Sequence, residues 1–375
     1  MYKKSENCLR KNIGSSFISN YNNDVFSAAS LALSTSSDFS FENWYASIGT
    51  FGENDQSTVD EKALFDLASL TKPLVTLPSV LHLIEIGKIS WHDPLSSLLE
   101  CEVSGPFKDI ELHNLLAHNS GFAAHDNYWK ILKSIEKKRK KDWLIQEILK
   151  GSPAYEKKSR HIYSDLGYLL LGFIVEIKSG KPLDYFWRRY IAEPLGLNGQ
   201  LLFPGDLEKE TRREFVPTGV CRWSGRKLKG VVNDDNSRAL GGVSGHAGLF
   251  GSSAGVLAIC REFFLLYHGK QSRLPIASDT FKKACLRVNG SEWTCGFNVP
   301  SASGSSSGRY FSPNSLGHLG FTGVSFWIDV DNQLIVCLLT NRVVKGEKME
   351  GIQALRPALH DMVVTCLRKS PRNSQ

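Results

Sequence analysis

Apolar residues recur at Leu70, Leu74, Leu77, Leu81 and Ile84, a spacing of three and four that predicts one helix, with Gly87 where a C-terminal cap belongs. Pro73 falls in its first turn, where backbone N–H groups have no intrahelical partner anyway. Elsewhere the period shortens to two. Residues 25–33 and 44–49 predict an antiparallel strand pair. Near the C-terminus Val324, Phe326 and Ile328 share one strand face, Asp331-Asn332 supplies a turn, and Leu334, Val336 and Leu338 run back. Helical patterns occupy 110–117 and 165–178, and a last helix is expected over about 351–367.

This order of elements predicts an α+β fold, an antiparallel sheet flanked by helices with an inserted all-helical lobe. The expected boundaries are a polar, Asn/Ser-rich loose arm over 1–24, an α/β lobe in two pieces (25–91 and 241–370), a helical lobe over 92–240, and a tail over 371–375. Ser301–Ser307 reads as a surface loop, and no internal repeat is visible.

Composition narrows the function classes. With 375 residues and ordinary apolar and charged fractions, the chain can build one large core or two lobes. The formal charge of +7 invites a nucleic-acid reading, but five of those charges sit in Lys137-Lys138-Arg139-Lys140-Lys141, and removing them leaves +2. That run reads as a solvated helix face, no nucleic-acid module accompanies it, and no nucleic-acid partner is expected. The eight cysteines show no C-x-x-C or disulfide-scaffold spacing, which suits a reducing compartment; Cys260 and Cys337 read as small core residues. Neither a signal peptide nor a membrane-length apolar stretch is seen, so the expectation is a cytoplasmic protein without membrane insertion. His113 and His118 are five apart and no H-E-x-x-H occurs, so no metal or other cofactor is expected.

The chemistry starts at Ser69-Leu70-Thr71-Lys72. On a helix, positions three apart share a face, so a hydroxyl and an amine are brought together. A serine is a poor nucleophile until a neighbouring group takes its proton, and a lysine at this spacing can do so or help another residue to do so. Two further segments matter: His161-Ile162-Tyr163-Ser164-Asp165, a polar loop opening a helix, and Gly317-His318-Leu319-Gly320-Phe321-Thr322-Gly323, where glycines let a strand pass close to something else.

In this order the three segments resemble the serine β-lactamase and penicillin-binding-protein superfamily, and most of all its class C β-lactamase-like branch of esterases, D-peptidases and muramoyl-peptide amidases. Residues 110–121 and 236–250 add supporting blocks, and the resemblance runs from about 25 to 365. It implies a β-lactamase/transpeptidase-like fold and an acyl-enzyme mechanism. Ser69 would be the nucleophile, Lys72 its activating partner and Tyr163 the proton shuttle. Asp165, His318, Leu319, Gly320 and Phe321 would line the substrate site, with the N–H groups of Ser69 and Phe321 as the oxyanion hole. Which of Lys72 and Tyr163 is the formal base belongs to the coupled pair.

Three positions depart from the pattern. Where β-lactamases and carboxypeptidases typically place a lysine and a hydroxyl residue that bind a carboxylate, this chain has His318 and Leu319; Asp165 stands where the family usually has asparagine. All three weaken recognition of an anionic β-lactam, and Asp165 should hold Lys72 protonated, shifting the base role toward Tyr163. The expected function is serine hydrolysis of an ester or amide with a neutral or cationic acyl partner, a small or peptide-like molecule. The second reading is a non-catalytic or weakly catalytic binder of cell-wall peptides or β-lactams in the same cleft. His246 either lines the cleft or holds the glycine-rich loop around it.

Overall fold

The period-two strands present apolar side chains on both faces, so a sheet made of them must be covered twice. The structure, a computed structural model, describes residues 3–52, 55–204, 214–288 and 290–368, and the expected tail over 371–375 lies outside them. Strands β1 (Ala28–Ser37), β2 (Ser40–Gly52), β3 (Asp55–Thr58), β4 (Leu316–Leu319), β5 (Ser325–Asp329) and β6 (Leu334–Thr340) form an antiparallel sheet in the order β3-β2-β1-β6-β5-β4. β1 pairs with β2 in a hairpin, and on its other side Leu31 faces Leu338 of β6, some three hundred residues later.

The helices that cover this sheet or approach its site are α1 (Lys3–Asn22), α2 (Leu77–Glu85), α3 (Asp165–Ser179), α4 (Ser253–Tyr267) and α5 (Glu350–Arg368). Ala29, Leu31 and Leu33 share a core with Trp327, Val336, Leu338 and the apolar sides of α1 and α5. Ala32, Phe326, Ile328 and Cys337 face the other way, into a larger core with α2 and α4. The alternation expected for 324–338 is thus present, but Phe326 and Val336 serve opposite faces.

The loose arm expected over 1–24 is corrected to α1. The segment is polar overall, yet Leu9, Ile13 and Phe17, spaced by four, form a stripe that buries fully in the core containing Leu355, Leu359 and Val363 of α5. Three such side chains, each contributing about 1.5–3 kcal/mol when buried, are enough to seat a helix. Cys8 on α1 and Cys366 on α5 form a disulfide with Cα atoms 5.5 Å apart. The pair was invisible in the spacing because it closes 358 residues. It also removes the cysteine argument for a reducing compartment, since disulfides persist where conditions are oxidising. Cys260 and Cys337 are free and buried as expected. No helix among the described residues is long and apolar enough to cross a membrane.

The helix expected from Ser69 onward is built in three pieces. Ala68–Leu70 is one 3₁₀ turn, Lys72–Thr76 is a π-helical turn, and regular α-helix begins only with α2. Prolines explain the break. Pro73 and Pro78, five apart, each lack the N–H that would close an i→i−4 bond. The carbonyl left free by Pro78, that of Leu74, accepts from the Trp187 indole at 2.8 Å. Gly87 does follow the helix in the left-handed conformation.

Candidate active site

Short strands Phe65–Asp66, Leu201–Leu202 and Phe250–Gly251 form a second small sheet that delivers the chain to Ser69. Ala68 immediately before it has φ +45°, a left-handed conformation that a residue with a Cβ adopts at a cost of order 1–3 kcal/mol. Asp66 holds that turn. Its Oδ1 accepts from the Ala68 N–H at 2.9 Å, while Oδ2 accepts from the Asn233 N–H at 2.7 Å and the Thr218 hydroxyl at 3.1 Å. Burial raises its carboxyl to about 6 in spite of those donors. Nothing in the sequence marks Asp66, because two of its three partners, Thr218 and Asn233, come from segments far along the chain.

The irregular turn after Ser69 still places Lys72 as the spacing required. Lys72 is fully buried, and its ammonium donates to Ser69 Oγ at 3.2 Å, Asp165 Oδ1 at 2.7 Å and the His246 carbonyl at 3.1 Å. All three protons are therefore engaged. Its nitrogen also lies 4.7 Å from the Tyr163 ring centroid. Burial alone would favour the neutral amine, but the charges of Asp165 and Tyr163 outweigh it and hold Lys72 above its ordinary range. Asp165 behaves reciprocally: burial opposes its ionisation, yet Lys72 and the hydrogen bond from His125 hold it below the usual carboxylate range.

Asp165 opens α3, capped by Ser164, whose hydroxyl accepts from the Gly167 N–H at 3.3 Å. Its second oxygen faces His125 Nδ1 at 3.2 Å. His125 lies forty residues earlier and carries no spacing signal. Tyr163 sits one residue before the cap, as expected, with its ring stacked on Trp293 at 5.4 Å. Burial holds its phenol above the ordinary range, Lys72 offsetting that only in part, and the hydroxyl has no hydrogen-bond partner of good geometry among the described residues.

The third segment forms β4, at the edge of the main sheet. His318 is buried, its Nδ1 lies 2.9 Å from the Leu319 carbonyl, and its Nε2 has no partner among the described residues. Burial and Lys72 lower its pKa to about 3. Gly320 must be glycine, since a Cβ there would sit 2.4 Å from Val324 and 3.0 Å from the Leu67 carbonyl. Phe321 is 42 % exposed and its ring is covered by Arg342, whose guanidinium carbon lies 4.8 Å from the centroid and whose Nε donates to the Phe321 carbonyl at 3.2 Å. The N–H groups of Ser69 and Phe321 have no backbone acceptor among the described residues.

These elements enclose a cleft of about 590 Å³, lined by Ser69, Tyr163, Asp165, His318, Leu319, Gly320 and Phe321 together with His125 and Trp293, which sequence reasoning did not single out. His246 does both things considered for it. It lines the cleft, and its ring is fixed by Ser244 and Asp234, each at 3.0 Å.

A separate group, His92, Glu111 and His113, brings three ligand-type atoms within 4.8 Å of one another. Asn114 decides its chemistry. The Asn114 Oδ1 accepts from the Glu111 N–H at 3.2 Å, so its amide nitrogen donates to His113 Nε2 at 3.0 Å. The proton of His113 is then on Nδ1, where it faces the Trp91 carbonyl at 3.2 Å and Glu111 at 3.1 Å. The lone pair a metal would need is occupied, and the group is an internally hydrogen-bonded cluster.

Comparison with known proteins gives the family and the fold. The family model for β-lactamase matches residues 26–359. The chain is 32% identical over 316 residues to an N-acetylmuramyl-L-alanine amidase of Bacillus subtilis, covering 75% of this chain and 68% of that one. It is 30% identical over 304 residues to an Escherichia coli protein provisionally named a D-alanyl-D-alanine carboxypeptidase, covering 74% and 69%. A solved class C β-lactamase from Rhodobacter sphaeroides superposes with a TM-score of 0.72 at 14% identity over 95% of this chain and 99% of that one, a likeness of fold. The chain has the β-lactamase/transpeptidase fold and belongs to the β-lactamase family of hydrolases.

Proposed function

We propose that this protein is a serine hydrolase that cleaves an amide or ester through an acyl-enzyme on Ser69. The observation that carries the reading is the 3.2 Å contact between Ser69 Oγ and a Lys72 ammonium clamped by Asp165 and His246. Such a clamp around a partly buried serine serves no packing purpose, and buried charge is costly unless it is used or paired.

Lys72 and Tyr163 act as one acid–base unit. With its charge held by Asp165, Lys72 favours the phenolate of Tyr163, which takes the Ser69 proton as Oγ attacks the substrate carbonyl. The N–H groups of Ser69 and Phe321 receive the developing oxyanion, each preorganised donor contributing about 3 kcal/mol. Collapse of the tetrahedral intermediate breaks the bond to the leaving group, which departs with the proton returned by Tyr163. Water then hydrolyses the Ser69 ester by the same steps in reverse.

The amidase name of the Bacillus subtilis relative supports an amide of cell-wall type as substrate. His318 and Leu319 provide neither the cation nor the hydroxyl that would hold a carboxylate, so β-lactam turnover should be slow. The binder reading has no observation of its own in its favour.

Fluorophosphonate labelling tests the proposal. The wild type should label, Ser69→Ala should not, and Tyr163→Phe should label at least tenfold more slowly. An unlabelled wild type that also leaves p-nitrophenyl esters intact would overturn the hydrolase reading, and efficient nitrocefin turnover would overturn the substrate reading.

A further inference from the structure

The side of the cleft built by β4 has a polarity opposite to the one a carboxylate needs. A carbonyl oxygen can only accept, so the 2.9 Å contact between His318 Nδ1 and the Leu319 carbonyl requires the proton on Nδ1. The other ring nitrogen, Nε2, is then a bare lone pair. It is buried, it has no partner among the described residues, and His318 is one of the residues that line the cleft. A buried acceptor left unpaired costs about 1–3 kcal/mol, so such atoms are usually satisfied by a ligand or by water.

The charged groups around the ring are committed in large part to other partners. Lys72 spends its three protons on Ser69, Asp165 and His246. Asp165 is taken up by Lys72 and His125. Arg356 turns one amino group to the carbonyls of Gly320 and Val324, at 3.0 and 2.8 Å, bracing the turn behind β4. Leu319 contributes no polar side-chain atom at all.

We infer that His318 Nε2 is a fixed hydrogen-bond acceptor of the substrate site, and that the substrate places a nitrogen-borne donor, a peptide N–H or an ammonium group, against it in the place where related enzymes hold a carboxylate. The inference rests on the serine-hydrolase reading above and specifies the substrate class within it. It makes His318 a specificity-determining residue. A carboxylate brought to Nε2 meets a lone pair and is repelled, whereas an amide N–H satisfies an atom that is otherwise stranded.

Two series of thioesters test this, one varied in the leaving thiol and one in the acyl group. Each carries at one position a carboxamide, an N,N-dimethylcarboxamide, an ammonium or a carboxylate. In one of the series the wild type should prefer the carboxamide or the ammonium over both other members by at least tenfold in kcat/KM, and which of the two donors leads identifies the group recognised. His318→Phe should flatten the preference, and His318→Lys should turn it toward the carboxylate. Nitrogen-15 NMR of the wild type should show the Nδ1–H tautomer from pH 5.5 to 8.5, a readout that needs no variant to fold. An Nε2–H tautomer, a carboxylate preference, or equal rates for carboxamide and dimethylcarboxamide in both series would overturn the inference. Normal labelling of Ser69 alongside such a result would overturn this inference alone, and absence of labelling would remove the hydrolase reading with it.

Discussion

The two walls of the cleft are built on different principles. The wall formed by the Ser69 turn and the start of α3 is charged: a buried ammonium, a carboxylate beneath it and a half-exposed histidine form a chain from Ser69 through Lys72 and Asp165 to His125. The wall formed by β4 and the residue after it offers a neutral imidazole, a leucine and a glycine whose missing Cβ lets Val324 and the Leu67 carbonyl come close. Proton transfer needs groups whose charge is tuned by neighbours, and the first wall has them. Recognition needs only shape and the right donors or acceptors, and the second wall can change these without touching the proton machinery. The departures in this chain fall accordingly. On the proposed reading His318 and Leu319 alter what is bound, while Asp165 adds to the charge of the first wall.

Removing the charge from the first wall should have the largest effect. Lys72→Met keeps most of the buried volume but strips Asp165 of its ion-pair partner, and loss of one member of a buried pair typically costs about 3–5 kcal/mol. Ser69 also loses its assisting group, so kcat/KM should fall by roughly 10³-fold, within the range of general acid–base contributions. Leu319→Thr on the second wall should leave unfolding free energy within about 1 kcal/mol of wild type and raise the relative rate on carboxylate-bearing substrates. Denaturant unfolding and steady-state kinetics of the two variants check this, and equal destabilisation by both would erase the contrast between the walls.

A smaller change sharpens it. Asp165→Asn puts back the amide usual in the family, keeping a hydrogen bond to Lys72 but withdrawing the opposing charge. Lys72 and Tyr163 should then lose protons more readily, and the acid limb of kcat/KM should move to lower pH by about one unit. The wild-type carboxylate is held below its unfolded value, so its stability contribution is full above about pH 4 and lost as pH falls through the depressed folded value. A pH–rate profile that does not move would mean that Asp165 positions Lys72 without setting its charge.

What could be read in the sequence follows the length scale of each interaction. Ser69 and Lys72 were legible because a turn of helix brings i and i+3 together, and the contact survives although the turn is 3₁₀ and then π-helical. Tyr163 and Asp165 were legible as a loop opening a helix, and β4 as a glycine-marked strand. The helix α1 was in principle readable from the four-residue spacing of Leu9, Ile13 and Phe17, but three apolar positions were outweighed by a polar average. Pro73 and Pro78 likewise carried the signal for the broken helix. The Cys8–Cys366 bond, the His125–Asp165 contact and the grip of Asp66 on the Ala68 turn were not legible. The disulfide, the His125–Asp165 contact and the bonds that Thr218 and Asn233 make to Asp66 join residues that only the finished fold makes neighbours, and side chains with several possible partners give no period to follow.

The finest test sets the two wall histidines against each other, because they bend stability in opposite directions with pH. His125, whose side chain is 42% exposed, has a raised pKa, first through its hydrogen bond to Asp165 and against partial burial. Its contribution is therefore fully present below the unfolded value near 6.5 and lost as pH rises through the folded value; exposure limits it to at most about 1 kcal/mol. His318 is lowered to about 3 by burial and by Lys72. As pH falls below about 6.5 the unfolded ring takes a proton that the folded ring refuses, a loss of about 1.4 kcal/mol by pH 5.5. Denaturant unfolding at pH 5.5 and 8.5 separates the two. His125→Gln should be the less stable protein at pH 5.5 and approach wild type at pH 8.5. His318→Phe should gain on wild type as the pH is lowered over the same interval. If both variants track wild type in parallel, neither histidine carries the proton balance that its wall implies. If only His318→Phe departs, the charged wall ends at Asp165 and His125 is no more than its solvent-facing neighbour.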